Sequence, residues 1–307
     1  LGVAEVDAIL YAPELEESAH PQMPSDSTIT FEGVSFAYEE KKVLNNVSFE
    51  AKPATISAFV GPSGAGKSTI AMLTARFWDV AEGQIKIGGV PIRDIPMEEL
   101  MNRISFVFQD NPLFFDTIEE NIRMGNKTAT FAQVEAAAKA AQCHEFITAM
   151  PQGYQTLVGE GGTYLSGGEQ QRLALARAIL KDAPIILLDE ATAFSDPENE
   201  GKILEAFSHL IKGKTVMVIA HRLSTIVNAD QIFYIDGVSR VRTSRSQRKM
   251  VVMPRCGSNM NRRSIGEFGN DNMHSLHRTV WGAAFGYNGS SALLLWLARD
   301  ARASGKA

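Results

Sequence analysis

One stretch of sequence decides the fold of this 307-residue chain: Gly61-Pro62-Ser63-Gly64-Ala65-Gly66-Lys67-Ser68-Thr69. It matches the pattern G-x-x-x-x-G-K-[ST] of a phosphate-binding loop. The apolar run Ile56–Val60 before the loop predicts a buried strand, and Ile70–Trp78 after it predicts a helix. Because strand, glycine loop and helix are the context that this motif requires, the chain is expected to bind a phosphate group within an α/β fold.

The residues of the loop have separate roles toward a phosphate. Gly61, Gly64 and Gly66 allow a tight turn that brings backbone N–H groups close to an anion. The start of the following helix adds free N–H groups and the positive end of its dipole. Lys67 is expected to contact the β- and γ-phosphates of a nucleotide, and Ser68 to ligate Mg²⁺. The alternative is a chance glycine-rich turn, against which the flanking strand and helix argue.

A second motif lies further along the chain: Leu165-Ser166-Gly167-Gly168-Glu169-Gln170-Gln171-Arg172. Ser166 and Glu169 have the spacing of a capping box, which predicts a helix from there to about Leu180. Ser166 and the N–H groups of the two glycines are then expected at the positive end of that helix. The motif contains no lysine to reach a phosphate.

A third motif consists of four apolar residues, 185–188, that end in two carboxylates, Asp189 and Glu190. The run is typical of a buried strand in a parallel sheet, where ligands bind at the C-terminal ends of the strands. Asp189 is expected to hold Mg²⁺ through water, and Glu190 to polarise an attacking water. An ordinary acidic pair is the alternative, and the two motifs upstream argue against it.

These three motifs, in this order and at this spacing, resemble the nucleotide-binding domain of an ABC transporter over residues 28–237. The resemblance implies ATP and Mg²⁺ as ligands. It implies an α/β fold with the RecA-like core of P-loop NTPases, an antiparallel β subdomain near the N-terminus, and a helical subdomain that carries the signature motif around residues 110–180. It also implies a dimer, in which the signature Ser166–Glu169 faces the γ-phosphate bound by a second ABC ATPase domain, identical or related.

The resemblance assigns further roles residue by residue. Tyr38 matches the aromatic residue that stacks on adenine, and Gln109 the glutamine that touches Mg²⁺ and water. His221 matches the histidine at the γ-phosphate, and Asp196 the aspartate of the D-loop, although Phe194 replaces a small residue there. The nucleotide-binding positions are Tyr38, Gly61, Pro62, Ser63, Gly64, Ala65, Gly66, Lys67, Ser68, Thr69, Ser166, Gly167, Gly168, Glu169 and Asp196. The catalytic positions are Lys67, Gln109, Glu190 and His221, and the metal positions are Ser68, Gln109 and Asp189.

Three further segments resemble exporter-type ABC proteins. Residues 117–122 have a Thr-Ile-x-x-Asn-Ile pattern, in which Thr117 and Glu120 predict another capping box, and residues 156–162 resemble the loop that touches the coupling helices. Residues 191–200 resemble the bacterial siderophore-related members. The competing class is a soluble ABC ATPase; the chromosome type needs a long coiled coil and the translation type two cassettes, and neither feature is present. A third class is a non-catalytic, nucleotide-gated interaction module.

The N-terminal residues 1–27 resemble the linker that joins a transmembrane domain to the ATPase in half-transporters. We therefore expect a transmembrane domain upstream as a partner, a location at the cytoplasmic face of the inner membrane, and no nucleic acid partner; a free-standing subunit is the alternative. The composition, 45% hydrophobic and 21% charged, is that of a globular protein. The two cysteines, Cys143 and Cys256, indicate no disulfide framework.

The last segment, residues 238–307, differs in character from the rest. It holds 12 Lys and Arg against 3 Asp and Glu, whereas residues 1–237 hold 18 against 32. Residues 240–249 have no helix or strand period. If the codons of this segment are read in a shifted frame, permitted codon choices give Glu-Gln-Gly-Thr-His-Glu, the sequence with which the family continues. We therefore expect an out-of-frame tail that is poorly packed and without function. A genuine basic extension and, at Thr279–Ala298, a membrane span are the alternatives.

Overall fold

The structure, a computed structural model, describes residues 15, 17–38, 41–108, 112–189, 197–219, 229–235 and 241–245. These residues belong to one compact unit, Leu15–Lys249. The strands are β1 (Ile29–Tyr38), β2 (Lys41–Ala51), β3 (Ile56–Val60), β4 (Glu82–Ile87), β5 (Val90–Pro91), β6 (Ile104–Val107), β7 (Asp116–Thr117), β8 (Leu157–Val158), β9 (Ile185–Asp189), β10 (Thr215–Ile219), β11 (Gln231–Ile235) and β12 (Val241–Arg245). The helices are α1 (Lys67–Thr74), α2 (Met97–Arg103), α3 (Ile118–Arg123), α4 (Phe131–Ala140), α5 (His144–Ala149), α6 (Gly167–Lys181) and α7 (Pro197–Ile211), with a 3₁₀ turn at Gly153–Gln155.

The main sheet has six strands in the order β12-β11-β3-β10-β9-β6. All are parallel except β12, which pairs antiparallel with β11. Phe59, Ile219 and Asp189 lie side by side in the register of β3, β10 and β9. The C-terminal ends of these strands therefore meet at one edge of the sheet, which is where ligands bind in parallel sheets.

A second sheet and a helical region flank this core, as the sequence predicted. The second sheet has the order β2-β1-β4-β5 and is antiparallel. Buried and exposed residues alternate in β2 from Val47 to Ala51, and the rings of Phe31 and Phe49 stack at 4.4 Å between centroids. The helical region contains α3 to α6, and its buried residues, among them Ile122, Val134 and Leu173, share one apolar core with Leu188 and Val218 of the main sheet. The predicted α/β fold with two subdomains is confirmed.

Two local expectations need correction. The helix after the phosphate loop ends at Thr74 instead of continuing to Trp78. Arg76 has φ of 53°, which a right-handed helix does not allow, and its buried side chain donates from Nε to the carboxylate of Asp79 at 3.0 Å. At the other end, Val241–Arg245 forms a strand although its sequence has no strand period. The strand forms by antiparallel backbone pairing with β11, from Gln231 with Arg245 to Ile235 with Val241, and such hydrogen bonds do not depend on a periodic side-chain pattern.

No helix within the described ranges is long and apolar enough to cross a membrane. The candidate span Thr279–Ala298 and the rest of residues 246–307 lie outside them.

Candidate nucleotide site

The loop between β3 and α1 has the backbone conformation of an anion cradle. Gly61, Gly64 and Gly66 all have positive φ, at 151°, 76° and 95°. A Cβ atom at Gly61 would collide with the carbonyl oxygen of Ile235, so only glycine fits there. Gly66 is the N-cap of α1 and has no side chain to cap the helix. The first N–H groups of α1 therefore remain available to a ligand at the positive end of the helix.

The side chain of Lys67 lies against the loop itself. Its Nζ atom donates to the carbonyl oxygens of Gly61 at 3.0 Å and Pro62 at 2.8 Å. The residue is only 5% exposed, while Pro62, Ser63 and Gly64 are exposed at the tip of the loop. The ammonium group is thus held inside the curve of the loop, where it can meet a phosphate that the exposed N–H groups bind.

Ser68 and Asp189 supply oxygen atoms at the same edge of the sheet. Ser68 is partly buried in the first turn of α1, and Asp189 is the partly buried last residue of β9. Helix α1 packs against β9 and β10. A hydroxyl and a carboxylate are the hard oxygen donors that Mg²⁺ prefers, so the residues present fit the expected metal.

Tyr38, the expected adenine contact, lies beside α1. Its hydroxyl is 3.4 Å from Thr69 Oγ1, and its ring makes edge contacts with Phe36 and Trp78, with centroids 4.9 Å and 5.3 Å away. Burial raises the pKa of the Tyr38 hydroxyl, and the hydrogen bond with Thr69 opposes that shift. Trp78 was not singled out from the sequence, and its only signal was an aromatic residue shortly after the loop helix.

The signature motif begins helix α6 as predicted. Ser166 is the N-cap: its Oγ accepts from Glu169 N–H at 3.4 Å, and Glu169 Oε2 accepts from Ser166 N–H at 2.8 Å. This is a complete capping box. Ser166 and Gly167 are exposed and Gly168 is buried. The structure thus presents the start of a 15-residue helix, with its dipole, on the surface.

The second predicted capping box is only half formed. Thr117 Oγ1 accepts from Glu120 N–H at 3.1 Å, but the Glu120 carboxylate binds Arg123, and the Thr117 N–H bonds to Asp116 Oδ1. A full capping box that the sequence analysis did not single out occurs at Thr130 and Gln133, at the start of α4.

Four of the expected site residues lie outside the described residues: Gln109, Glu190, Asp196 and His221. In the chain, Gln109 comes two residues after the end of β6, Glu190 follows β9 directly, and His221 comes two residues after β10. Their roles stay predictions.

The phosphate loop follows β3 of a parallel sheet, and the side chains of Ser68 and Asp189 supply oxygen atoms at the same edge. These features define a P-loop nucleotide-binding protein. Comparisons with known proteins give the family. Residues 44–193 match the family described as ABC transporter. Residues 44–193 therefore form a domain of the ABC transporter family, as the signature motif indicated.

The relatives are transport proteins. The chain is 45% identical over 241 residues to the mycobactin import ATP-binding/permease protein IrtA of Mycobacterium tuberculosis, covering 77% of this chain and 28% of that protein. It is 48% identical over 204 residues to an ATP-dependent lipid A-core flippase of Syntrophus aciditrophicus, covering 66% and 34%. A solved bacterial Atm1-family ABC exporter with ATP bound is similar at a TM-score of 0.73 and 41% identity, covering 79% of this chain and 43% of the other. The chain thus spans about a third or less of these curated relatives, and they favour a transporter over a soluble ABC ATPase.

Proposed function

We propose that this chain binds MgATP and hydrolyses it to power transport through a membrane domain. The observation that carries the proposal is the pairing, in one chain, of a Lys67-containing phosphate loop with an exposed, capped signature helix. Neither feature alone requires ATP hydrolysis. Together with an ATP-bound exporter as a structural relative, they favour an ATPase over a simple phosphate-binding domain.

Charge placement accounts for the catalysis that we propose. Lys67 and the N–H groups of the loop bind the β- and γ-phosphates and take up charge as it develops. Ser68 and, through water, Asp189 would hold Mg²⁺, which would neutralise phosphate charge there. Asp189 ends β9 at the C-terminal edge of the sheet, and Glu190 is the next residue in the chain. Gln109 and His221 each come two residues after a strand, β6 and β10, that ends at the same edge. This connectivity supports Glu190 and His221 as the groups that order the attacking water, with Gln109 at the metal.

A second copy or a related domain completes the site in this proposal. The signature helix has N–H groups at its start that can bind a phosphate, but the motif contains no lysine. The lysine of the site, Lys67, belongs to the phosphate loop and is bonded to the Gly61 oxygen of that loop. A phosphate bound by Lys67 of one domain can therefore also meet Ser166, Gly167 and Gly168 of another. Asp196 is proposed at the same dimer contact. ATP then joins two domains, and hydrolysis releases them.

The relatives and two exposed apolar side chains support a membrane domain as the partner. Phe115 and Leu157 are 62% and 45% exposed in the β7–β8 region. The relatives include a permease protein and a flippase, which supports a membrane domain as partner and the cytoplasmic face of the inner membrane as location. Those names differ in cargo, so our proposal concerns ATP use and leaves the transported substrate open.

The test is the Glu190→Gln variant of the 307-residue chain, compared with Glu205→Gln, an exposed glutamate of α7. We expect Glu190→Gln to bind ATP like the unchanged chain but to release no phosphate, and Glu205→Gln to do both. Undiminished phosphate release by Glu190→Gln would refute the role of Glu190. No phosphate release by the unchanged chain, alone or with its membrane domain, would favour the non-catalytic module instead.

A further inference from the structure

Asn121 and Arg177 form a hydrogen-bond network that neither the sequence analysis nor the proposed catalytic roles use. Asn121 is fully buried in α3, and Arg177 lies in the signature helix α6. Arg177 donates from Nε to the backbone oxygen of Asn121 at 2.6 Å, from one terminal nitrogen to Asn121 Oδ1 at 2.6 Å, and from the other to the Pro112 oxygen at 3.0 Å. All three donor groups of the guanidinium fork therefore bind one short region of chain.

The Asn121 side chain extends the network into the segment that precedes α3. Its Nδ2 donates to the carbonyl oxygens of Phe114 at 2.9 Å and Thr117 at 3.0 Å, with a longer contact to Asp116 at 3.4 Å. Its Oδ1 also accepts from the Phe114 N–H at 3.0 Å. One amide thus holds both ends of the turn 114–117, and the guanidinium of Arg177 lies 5.9 Å from the centre of the Phe114 ring.

Burying the charged guanidinium of Arg177 costs desolvation free energy that a purely structural contact would not require. Its acceptors are carbonyl oxygens, and no carboxylate among the described residues pairs with it. Burial lowers the pKa of Arg177 to about 10. A neutral residue of similar size avoids the desolvation of a charge and often stabilises a protein more. An arginine provides what such a residue cannot, which is a rigid fork of donors in one plane.

The network connects the segment 112–117 with the signature helix α6. The segment 112–117 begins three residues after Gln109 and carries the exposed Phe115. It also pairs with β8, through Asp116 with Val158 and Thr117 with Leu157. Helix α6 begins at the signature, and Arg177 lies eleven residues after Ser166, about 16 Å along the helix.

We propose that Asn121 and Arg177 are positioning residues that hold the segment 112–117 to the signature helix. When a nucleotide contacts Ser166, the signature helix then moves the exposed side chains of Phe115 and Leu157 with it. This inference rests on the proposed function, because it requires ATP to reach the signature of a second domain. Arg177 bonds directly to Pro112 of the segment, and through Asn121 it is linked to Phe114 and Thr117. A helix joined to the segment by these bonds moves it as one body, whereas a helix in apolar contact alone can slide.

The test is hydrogen–deuterium exchange of the Glu190→Gln chain with and without Mg²⁺ and ATP, read in peptides from 112–118 and 165–175. Arg177→Met removes the fork, and Asn121→Asp keeps an acceptor for Arg177 but removes both amide donors to the turn. Arg123→Met is the matched control, since Arg123 binds Glu119 and Glu120 of its own helix and the oxygen of Ala129.

We expect ATP to slow exchange in both peptides by about threefold or more in the Glu190→Gln chain and in the Arg123→Met control. In Arg177→Met, the response of 165–175 remains and that of 112–118 is lost, with the same ATP affinity. In Asn121→Asp, which keeps the bond from Arg177 to Pro112 and an acceptor for the Phe114 N–H, the response of 112–118 is reduced. Asn121→Asp carries the test if Arg177→Met does not fold. An undiminished response of 112–118 in Asn121→Asp would overturn the inference alone. No ATP response in either peptide before substitution would overturn the proposed function and the inference with it.

Discussion

The Nζ atom of Lys67 lies 2.8 Å from the carbonyl oxygen of Pro62, so the loop holds its own cation before any phosphate contact is considered. A lysine on a long flexible stem loses side-chain entropy when it binds a ligand. Here the hydrogen bonds to Pro62 and Gly61 already restrict it, and the residue is 95% shielded from solvent. The loop is therefore organised in advance for an anion.

Replacing Lys67 removes this charge. We expect Lys67→Ala to weaken ATP binding at least tenfold, because a hydrogen bond to a charged group contributes about 1.5–3 kcal/mol. Lys86→Ala is the control, since Lys86 pairs with Glu32 on the second sheet. Titration calorimetry with MgATP measures both. Equal affinity of Lys67→Ala and the unchanged chain would contradict the assignment of the loop.

A methyl group at Gly61 tests the close approach of the loop to β11. Gly61→Ala places Cβ against the oxygen of Ile235 at a φ of 151°, whereas Gly213→Ala meets open space at a φ of 72°. Gly213→Ala adds only the strain of its positive φ, about 1 kcal/mol, whereas Gly61→Ala adds the strain of its own φ and the collision. We expect urea unfolding to give a clearly larger loss for Gly61→Ala. Equal losses would mean that the loop and β11 separate freely.

The cap of the signature helix is expected to act in both stability and dimerisation. Ser166→Ala and Thr130→Ala each remove the N-cap of a complete capping box, and each should cost about 1 kcal/mol in the free energy of unfolding. Only Ser166→Ala should also weaken ATP-dependent association, measured by light scattering in the Glu190→Gln background. If Thr130→Ala weakens association equally, the effect belongs to folding and the role of Ser166 is refuted.

Lys181, in the last turn of the signature helix, gives a pH-dependent prediction. Burial lowers the pKa of its ammonium to about 8, below its ordinary value of 10.5. The unfolded chain therefore binds more protons between these pH values, and stability rises with pH across that window. Below pH 8 the charged, desolvated form destabilises the fold, so Lys181→Met should add about 1–2 kcal/mol at pH 7, after allowance for partial exposure.

The gain from Lys181→Met should shrink from pH 8 upward and vanish above pH 10.5, where the lysine is neutral in both states. Chemical unfolding at pH 7, 9 and 10.5 measures it. A gain that stays constant with pH would assign the effect to packing.

Local patterns fixed much of this fold in advance. The strand Ile56–Val60 and the cap at Ser166 appear where the sequence predicted them, because loop glycines and capping side chains act on neighbouring residues. The end of α1 was missed, since the inward turn of Arg76 depends on a partner three residues further on. The Asn121–Arg177 network was missed because its members are far apart in the chain and meet only through packing of α3 on α6. The site at Lys67, Ser68, Asp189 and Ser166 came from motifs, and the edge alignment of β3, β9 and β10 needed the structure.

The most direct test of the central claim is sedimentation of the Glu190→Gln chain with and without MgATP. The account predicts a monomer without nucleotide and a dimer with MgATP, and predicts that adding either Lys67→Ala or Ser166→Ala abolishes or weakens the dimer. A mixture of the two double variants restores one complete site between a Ser166 donor and a Lys67 donor, and should recover part of the dimer. A monomer at saturating MgATP, or a dimer that neither substitution affects, would contradict the claim that two such domains share ATP between the phosphate loop and the signature helix.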